Sequence, residues 1–496
     1  LYWRQGLQVN SINFSNPNAP TLLEPLELVD QNGWFWNSVV TASPDHLLVT
    51  TSHDDDEREL TRSRVHVIPI SRTLTSMEVA HAVDLKANLP DKFKLRMKED
   101  ILTTVTQKNV WRRELTTYVE SFDLSGDEAE KLDEIILAPQ ERLHATRFDG
   151  DRLYVVTFFV EIRKDPLFVI DLSDPGNLKS LGELEIPGWS TYLVPEGDRL
   201  LSVGVEEDRV AISLFDVSDP SRPSLKQRVY PGEGRSWSEA NWDEKAVGYL
   251  PGKNLLLLPI STRVKGEEGY EYKNLMPLVA GRDEALEVRG AIEHEVQGRR
   301  ATAVGDTVVS ISGQEMIVVD ATDRDEPDLL TEVSLAWNVA HVVEIGDSLW
   351  QIENGQSWQS DIKTRVRITD KEDFDSVKTD FYLEPGAVAG LHRVGSKLYV
   401  GRYRQWNEKI EVPGEENPFP DGEEPEAWEP EPVFDWVRHN EFSTDVIDVS
   451  DPMEPSLLGS VTHDLGKGYQ IGGLTTADGS FVNGHLVWRP KVTSSR

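Results

Sequence analysis

The sequence predicts an all-β fold built from repeated four-stranded antiparallel units, and three observations support this prediction. One hairpin pattern recurs along the chain, and its clearest copy is DPLFVIDLSDPGNLKSLGELEIPG at 165–188. A second hairpin pattern fills the intervals between these copies. No long stretch has the 3.6-residue spacing of apolar residues that marks an amphipathic helix.

The first hairpin pattern is an apolar run, a turn and a second strand, at 167–172, 173–176 and 181–186 in the clearest copy. Asp171 and Asp174 are expected to accept hydrogen bonds from N–H groups of their own turn, and Pro175 ends the strand pairing. Further copies lie at 11–28, 213–232, 317–337, 366–386 and 445–464, with looser ones at 64–85 and 118–139.

The second hairpin pattern is a strand, a Gly-Asp or Gly-Ser pair, and another strand. This dipeptide suits the tight primed turns that join antiparallel strands. The copies lie at 145–158, 193–204, 302–312, 342–353 and 392–403. Together the two patterns make four short strands per unit.

Four-stranded units repeated at roughly 45–55 residues are typical of a β-propeller, whose blades each contain one such sheet. We therefore predict a single β-propeller domain over 1–496. The strands at 1–28 are expected to pair with those at 468–490 and to close the ring by sharing a blade. The units number nine by this count, and since propellers usually have four to eight blades, eight and nine blades both remain open.

Two stretches interrupt the repeats. A longer loop between blades is expected at 264–273, and a larger insertion, acidic and rich in Pro, runs over 405–442. Pro and Glu alone favour disorder, whereas aromatic residues usually pack against something. We expect an ordered flap over one face of the ring, with a mobile loop as the alternative. Its aromatic residues are Trp406, Phe419, Trp428, Phe434 and Trp436.

Composition limits the classes of partner. The chain has 86 Asp and Glu against 51 Lys and Arg, a formal net charge of −35. This acidity argues against nucleic acids and anionic membrane surfaces, while it permits divalent cations. The absence of cysteine excludes disulfides and thiolate metal sites. No apolar run is long enough to span a membrane, and a first residue Leu1 indicates either export with signal removal or a shortened chain.

Residues 141–260 resemble a family of secreted bacterial and archaeal proteins with a β-propeller domain distantly related to WD40 repeats. The stretches that carry the resemblance are HATRFDGDRLYVVTF, DPLFVIDLSDP, LGELEIPGWSTYLVPEGDRLLSVG, ISLFDVSDPS and GRSWSEANWDEKAVGYLPGKNLLLLPI. The resemblance implies a propeller and export, hence an extracytoplasmic location. It implies no reaction and no catalytic residue.

Propellers usually bind their ligands through the loops that join blades and through their innermost strands. An aromatic and polar rim at these positions would suit a glycan or a peptide, although each Trp serves equally well as packing between blades. The candidate ligand-binding residues are Trp189, Tyr192, Trp237, Glu239, Trp242, Asp243 and His341.

Two groups of residues contain possible metal ligands. The acidic run with Asp54, Asp55 and Asp56 has the oxygen ligands that Ca²⁺ prefers, but its spacing matches no known calcium loop, and a solvated loop is the alternative. His144, His341 and His392 each lie on a predicted innermost strand and could together hold Zn²⁺. Because alternate strand residues face opposite sides, His144 should face away from the other two, which disfavours this site.

The sequence contains no G-x-S-x-G, H-E-x-x-H or phosphate-binding motif. We therefore expect an exported binding or scaffold module whose ligand or partner, a glycan or a protein, sits at the channel mouth or on the flap. One alternative is a metal-dependent hydrolase or lyase with its site at the channel mouth. Another is a subunit of a cell-surface assembly.

Overall fold

The computed structural model is almost entirely β. It describes residues 4–13, 16, 18–35, 37–54, 60–70, 76–110, 114–158, 164–266, 269–282, 285–353, 363–412, 433–451 and 453–464. The chain divides into two compact units, Leu1–Leu335 and Ala336–Arg496, and each is described by itself.

The first unit begins with two short antiparallel pairs. Strand β1 (Arg4–Val9) pairs with β4 (Leu26–Phe35), and β2 (Ile12–Asn13) pairs with β3 (Thr21–Leu22). Their predicted partner at 468–490 lies outside the described residues. Closure of the ring by a shared blade therefore stays a prediction, as does the number of blades.

Four sheets of four antiparallel strands follow, each a meander in chain order. Sheet 1 contains β5 (Asn37–Ala42), β6 (His46–Asp54), β7 (Thr61–Pro69) and β8 (His81–Asp84). Sheet 2 contains β9 (Leu95–Lys98), β10 (Ile101–Val110), β11 (Glu114–Asp123) and β12 (Glu130–Leu137). Sheet 3 contains β13 (Arg142–Asp149), β14 (Arg152–Phe158), β15 (Lys164–Asp171) and β16 (Lys179–Pro187). Sheet 4 contains β17 (Trp189–Glu196), β18 (Arg199–Glu206), β19 (Arg209–Asp216) and β20 (Ser224–Val229).

Sheet 5 departs from the four-stranded pattern because it has six strands. These are β21 (Ser236–Trp237), β22 (Gly248–Leu250), β23 (Leu255–Leu257), β24 (Ile260–Gly266), β25 (Gly269–Arg282) and β26 (Ala285–His294). The predicted loop at 264–273 is wrong, since β24 and β25 pair as a hairpin through this stretch. Sheet 6 has four strands again: β27 (Gly298–Val304), β28 (Thr307–Ser312), β29 (Glu315–Asp320) and β30 (Asp328–Ser334).

Short 3-10 helices are the only helices among the described residues. They are Lys92–Lys94, Glu239–Asn241, Glu244–Ala246 and Pro251–Lys253. None of the described helices is long and apolar enough to cross a membrane.

The second unit contains two four-stranded sheets among its described residues. Sheet 7 contains β31 (Val339–Ile345), β32 (Ser348–Glu353), β33 (Lys363–Asp370) and β34 (Val377–Pro385). Sheet 8 contains β35 (Ala387–Val394), β36 (Lys397–Val412), β37 (Val433–Asp448) and β38 (Ser456–Asp464).

The predicted insertion at 405–442 is partly an extension of sheet 8. Strands β36 and β37 stay paired without interruption out to Val412 and Val433. Trp406 stacks on His439 at a centroid distance of 5.0 Å. Residues 413–432, with Phe419 and Trp428, lie outside the described residues, so the flap over one face stays a prediction.

The two predicted turn types are confirmed. In the Gly-Asp hairpins, Asp149 pairs with Arg152 and Gly150 has a φ of +54°, the type II′ geometry that glycine adopts without strain. In the Asp-Pro hairpin, Asp171 accepts from the Ser173 amide at 2.9 Å and Asp174 from the Gly176 amide at 3.1 Å. The hydrogen bond from the Ser173 amide is the main cause that lowers the pKa of Asp171. The two acidic residues are therefore structural.

Buried apolar residues fill the spaces between successive sheets, because each sheet is apolar on both faces. Val67 of sheet 1 packs in one cluster with Leu102 of sheet 2. Val169 of sheet 3 shares another with Phe215 of sheet 4. The other interfaces repeat this arrangement between sheets 2 and 3, 4 and 5, 5 and 6, and 7 and 8. Stacking of neighbouring sheets therefore supplies the core of each unit.

The first strand of a sheet carries a β-bulge at a recurring place. In sheets 3, 4, 6, 7 and 8 one extra residue lies six positions before the glycine of the following turn. A bulge interrupts the alternation of side chains and re-aims the extra residue. The extra residues are His144, Thr191, Arg299, Ala340 and Ala389.

Candidate functional site

A cavity of about 490 Å³ in the first unit is lined by the leading elements of sheets 1 to 5. The first strands of sheets 3 and 4 contact each other there, and the 3-10 helix Lys92–Lys94 contacts β5, β10 and β13. Polar and aromatic side chains from all five sheets therefore meet in one place. The polar and aromatic residues of the lining include Asn37, Ser38, Asp91, Lys92, Phe93, Lys94, His144, Thr146, Thr191, Tyr192, Asn241, Trp242 and Glu244.

Two short 3-10 helices shape the wall that sheet 5 contributes. Ser238 caps the first helix by accepting from the Ala240 amide, and its hydroxyl donates to the Pro259 carbonyl at 2.6 Å. Asp243 caps the second by accepting from the Lys245 amide at 3.0 Å. Each cap is a short polar residue just before the helix, as N-cap chemistry requires. The caps hold Asn241, Trp242 and Glu244 towards the cavity.

Trp237 and Trp242 form a stacked pair that we call the indole ledge. Their ring centroids lie 5.5 Å apart with an interplanar angle of 13°. Trp242 is 68% exposed and Trp237 is 38% exposed, so the ledge leaves a large apolar surface in water. Trp242 also lines the cavity.

Lys94 is a buried cation in the cavity wall. Its side chain is 3% exposed, and its ammonium donates to Asp91 Oδ2 at 2.7 Å and to the His144 carbonyl at 2.9 Å. Burial lowers the pKa of Lys94 although Asp91 opposes this effect. The pair is built by local sequence, because Asp91 also caps the 3-10 helix that contains Lys94.

His144 enters the cavity because it is the extra residue of the bulge in β13. Its ring lies 5.6 Å from Phe158 and 6.4 Å from Trp189, measured between ring centroids. Burial, with Arg142 and Lys94 nearby, lowers the pKa of His144 to about 4. The ring is therefore uncharged at neutral pH.

An aromatic corner completes the cavity. Phe93 meets Tyr192 edge to face at a centroid distance of 6.0 Å. The guanidinium of Arg147 lies 5.8 Å from the Phe93 ring and 5.7 Å from the Tyr192 ring, within the range of cation–π attraction. These contacts fix the orientation of Tyr192.

The acidic and basic side chains that line the cavity are paired. Lys92 forms an ion pair with Glu244, which joins the helix before sheet 2 to the helix in sheet 5. Lys94 pairs with Asp91. Because His144 is uncharged at neutral pH, the lining carries no net charge, in contrast to the −35 of the whole chain.

The structure brings together only part of the predicted rim. Tyr192 and Trp242 line the cavity, and Trp237 stacks on Trp242. Trp189 packs on Phe158 at 5.2 Å between ring centroids, as the packing interpretation expects. Glu239 and Asp243 form ion pairs with Arg299 and Arg300 of sheet 6, at 3.4 and 3.1 Å. His341 lies on β31 in the second unit.

The predicted metal sites find no support among the described residues. Asp54 accepts from the Thr61 hydroxyl at 2.9 Å, while Asp55 and Asp56 lie outside the described residues. His144 belongs to the first unit, and His341 and His392 belong to the second. In the part of the chain that the structure describes, no three His, Asp or Glu side chains are grouped as metal ligands would be.

Sequence reasoning missed Lys94, Asp91 and Phe93, and it gave Asn241 no role. The stretch at 91–94, DKFK, precedes a strand and matches neither hairpin pattern. Such a break in the repeat is a signal that could have directed attention to it. The residue type at position 144 gave no such signal, and its place in a bulge shows only as the offset of six residues from Gly150 that four other first strands share.

A second polar cluster resembles a catalytic triad. His294 Nδ1 lies 2.9 Å from Glu315 Oε1, and its Nε2 lies 2.6 Å from Ser310 Oγ. However, the His294 side chain is completely buried, and Ser310 is also inaccessible. A nucleophile must reach its substrate, and this one is buried. The cluster is therefore a structural link between β26 of sheet 5 and the two middle strands of sheet 6, β28 and β29.

Residues 35–364 match a protein family described as a β-propeller domain. The chain belongs to this family. A second match, to a repeat described as LVIVD, covers residues 439–463 of the propeller's last described sheet. The propeller fold predicted from the recurring hairpins is thereby confirmed, and the cavity lies on the leading strands of its sheets.

Two similar proteins are archaeal and uncharacterised. One, from Archaeoglobus fulgidus, is 31% identical over 257 residues, which is 48% of this propeller chain and 38% of the relative. The other, MJ1554 from Methanocaldococcus jannaschii, is 35% identical over 188 residues, or 36% of this chain and 26% of the relative. The chain thus matches well under half the length of these relatives.

Among solved structures, Sqt1 of Saccharomyces cerevisiae has 11% sequence identity and a TM-score of 0.40. The match covers 77% of this chain and 90% of that one. Similarity at this level does not identify a function.

Proposed function

We propose that this β-propeller is an extracytoplasmic binding or scaffold protein that holds a glycan or a protein partner in the cavity of the first unit. The observation that supports this most is that five successive sheets direct their leading elements to one cavity of about 490 Å³. Small-molecule sites generally measure about 300–1,000 Å³ and combine aromatic walls with a few polar groups. Tyr192, Trp242 and Asn241 provide such a combination.

The ionisable groups of the cavity favour binding over catalysis because they are held in ion pairs. Lys94 is held by Asp91, and Lys92 is held by Glu244. A general acid or base must be free to exchange a proton with a substrate. The side chain of His144 packs among Phe158 and Trp189, which suits a wall better than a proton shuttle.

Extracytoplasmic location is supported by the resemblance of residues 141–260 to exported propellers. The net charge of −35 on the chain is compatible with that setting. An antibody against the purified protein, applied to fractionated cells of the source organism, provides the test. We expect the signal in the envelope or the medium, and a signal confined to the cytoplasm would contradict the location without affecting the cavity.

The binding role can be tested by thermal unfolding of the purified chain in the presence of saccharides, peptides, nucleotides and carboxylic acids. Binding to the folded state alone raises stability, by about 2.7 kcal/mol at a hundredfold excess over the dissociation constant. We expect one class of compound to raise Tm for the wild type and to lose this effect in Tyr192→Ala/Trp242→Ala. No shift with any class, or equal shifts in the variant, would overturn the proposed function.

A further inference from the structure

We propose that the cavity binds a neutral saccharide, with one sugar ring stacked on the indole ledge and its hydroxyl groups bonded to a lining that carries no net charge. This inference rests on the proposed function and specifies the chemical class of its ligand.

The first argument is the exposure of the ledge. Trp242 leaves 68% of its surface in water although it stacks on Trp237, and burying apolar surface is favourable by about 25 cal/mol per Å². A flat indole in water therefore gains most from a partner with a flat apolar face. The C–H face of a pyranose ring is such a surface, and its rim of hydroxyl groups stays free for hydrogen bonds.

The second argument is the charge of the lining. Both lysines are already paired with carboxylates, through Asp91 and Glu244. An anionic ligand would have to compete with these carboxylates, and a cationic one with Lys92 and Lys94. Desolvating an uncompensated charge is costly. A neutral ligand avoids this cost.

The third argument is the hydrogen-bonding inventory. The Thr146 hydroxyl donates to the Phe93 carbonyl at 2.6 Å, which leaves its oxygen free to accept. The Thr191 hydroxyl lies 3.1 Å from the Val203 carbonyl and 3.4 Å from Asn241 Oδ1. The ammonium of Lys94 has three N–H bonds, and two of them are used by Asp91 and the His144 carbonyl.

These groups bring donors and acceptors from sheets 2 to 5 to the lining of one cavity. A sugar hydroxyl both donates and accepts, so it can bond to amide, hydroxyl and ammonium groups together. Asn37 and Ser38 add two further uncharged polar side chains from sheet 1. The lining therefore matches a polyhydroxylated ligand more closely than a purely apolar one.

The test is isothermal titration calorimetry of the full chain with maltotetraose, cellotetraose and chitotetraose as neutral probes. Trigalacturonate serves as the acidic probe, and an acetylated and amidated tetrapeptide as the peptide probe. We expect at least one neutral saccharide to bind, and trigalacturonate to bind at least about tenfold more weakly. Trp242→Ala should weaken saccharide binding by about tenfold or more, and Trp242→Phe should retain most of it.

Tyr272 provides the matched control. It is 67% exposed, close to the 68% of Trp242, and it lies on β25 outside the cavity lining. Tyr272→Ala should leave saccharide binding unchanged. An equal loss in both variants would overturn the proposal.

The outcomes separate this inference from the proposed function. Absence of saccharide binding at millimolar concentration would overturn the inference. Binding of the tetrapeptide that is lost in Trp242→Ala would also overturn it, while the binding role of the cavity would survive. Saccharide binding that persists in Trp242→Ala would overturn it too, because the indole ledge would then have no part.

Discussion

Two polar clusters of the first unit are built from similar residues and differ in their access to water. The cluster of His294, Ser310 and Glu315 is closed, and its donors and acceptors bond to one another. The cluster of Asp91, Lys94 and His144 lines a cavity. The difference shows that a triad-like arrangement is no indication of catalysis until the nucleophile can be reached.

The closed cluster stabilises the contact between two sheets. Glu315 Oε1 accepts from the Glu295 amide at 2.9 Å and also contacts the ring of His294. When Glu315 is ionised it accepts from Nδ1–H, and in the neutral ring Nε2 then accepts the hydroxyl hydrogen of Ser310. Each group thereby has its hydrogen-bonding partner, as buried polar groups require.

The largest expected effect on stability is that of Glu315→Ala. Removing the carboxylate leaves a buried ring N–H and a backbone amide without their acceptor, and at about 1–3 kcal/mol for each this should lower the free energy of unfolding by about 2–6 kcal/mol. Urea unfolding followed by circular dichroism measures this. Glu293→Ala is the control, because Glu293 forms an exposed ion pair with Lys273 and such pairs contribute about 0–1 kcal/mol. Equal losses of unfolding free energy in the two variants would contradict the structural role of the cluster.

A smaller loss is expected for Lys94→Met, which keeps the length of the side chain but removes two hydrogen bonds. Asp91 is 43% exposed and can be hydrated, so we expect a loss of about 1–2 kcal/mol. If Lys94→Met lowers the free energy of unfolding as much as Glu315→Ala does, the cluster of Asp91, Lys94 and His144 contributes as much to stability as the closed cluster.

Lys94→Met should also change how the free energy of unfolding depends on pH. The pKa of Lys94 is lowered from 10.5 in the fold by burial, so between its folded and unfolded pKa values the unfolded chain binds more protons. The free energy of unfolding of the wild type should therefore rise with pH on approaching 10.5. Lys94→Met should lack this contribution, which unfolding at two alkaline pH values would reveal.

His144→Gln should act only on the acid side. Because the pKa of His144 is about 4 in the fold against 6.5 in the unfolded chain, the unfolded chain takes up its proton first as the pH falls. His144 thus lowers the stability of the wild type between pH 6.5 and about pH 4. The variant should show a shallower loss of Tm in this window and little change above it. If Tm depends on pH identically in the wild type and the variant, burial does not lower the pKa of His144.

The smallest expected effect on stability is that of Trp242→Ala. Since most of its ring is in water, only the stacking on Trp237 is lost, which is about 0.5–1.5 kcal/mol. A small change in Tm together with lost saccharide binding would show that Trp242 serves binding, whereas Glu315 serves stability. A large change in Tm would place Trp242 among the structural residues.

Much of the architecture was predictable because it depends on local patterns. The Asp-Pro turns follow from side chains that bond their own backbone, as Asp171 and Asp174 do. The Gly-Asp turns follow from the positive φ of residues such as Gly150. The prediction of a loop at 264–273 was wrong, because pairing between β24 and β25 makes this stretch part of a hairpin.

The site was less predictable because it depends on contacts across many residues. Tyr192 and Trp242 were expected at a rim, and they do line one cavity. The ion pair of Lys92 with Glu244 joins positions far apart in the chain, so no local pattern could indicate it. Neither could the burial of Lys94, which depends on the packing of sheets 2 and 3.

By itself the sequence determined the kind of unit, its repetition and its turns, since hydrophobic alternation and turn residues act over a few positions. Only the tertiary structure decided which of the many polar side chains meet. The bulge in β13 places His144 in the cavity, which the alternation of side chains along a strand does not indicate. The physical reason is that contacts between sheets are set by packing between repeats, and the residues of one repeat do not specify that packing.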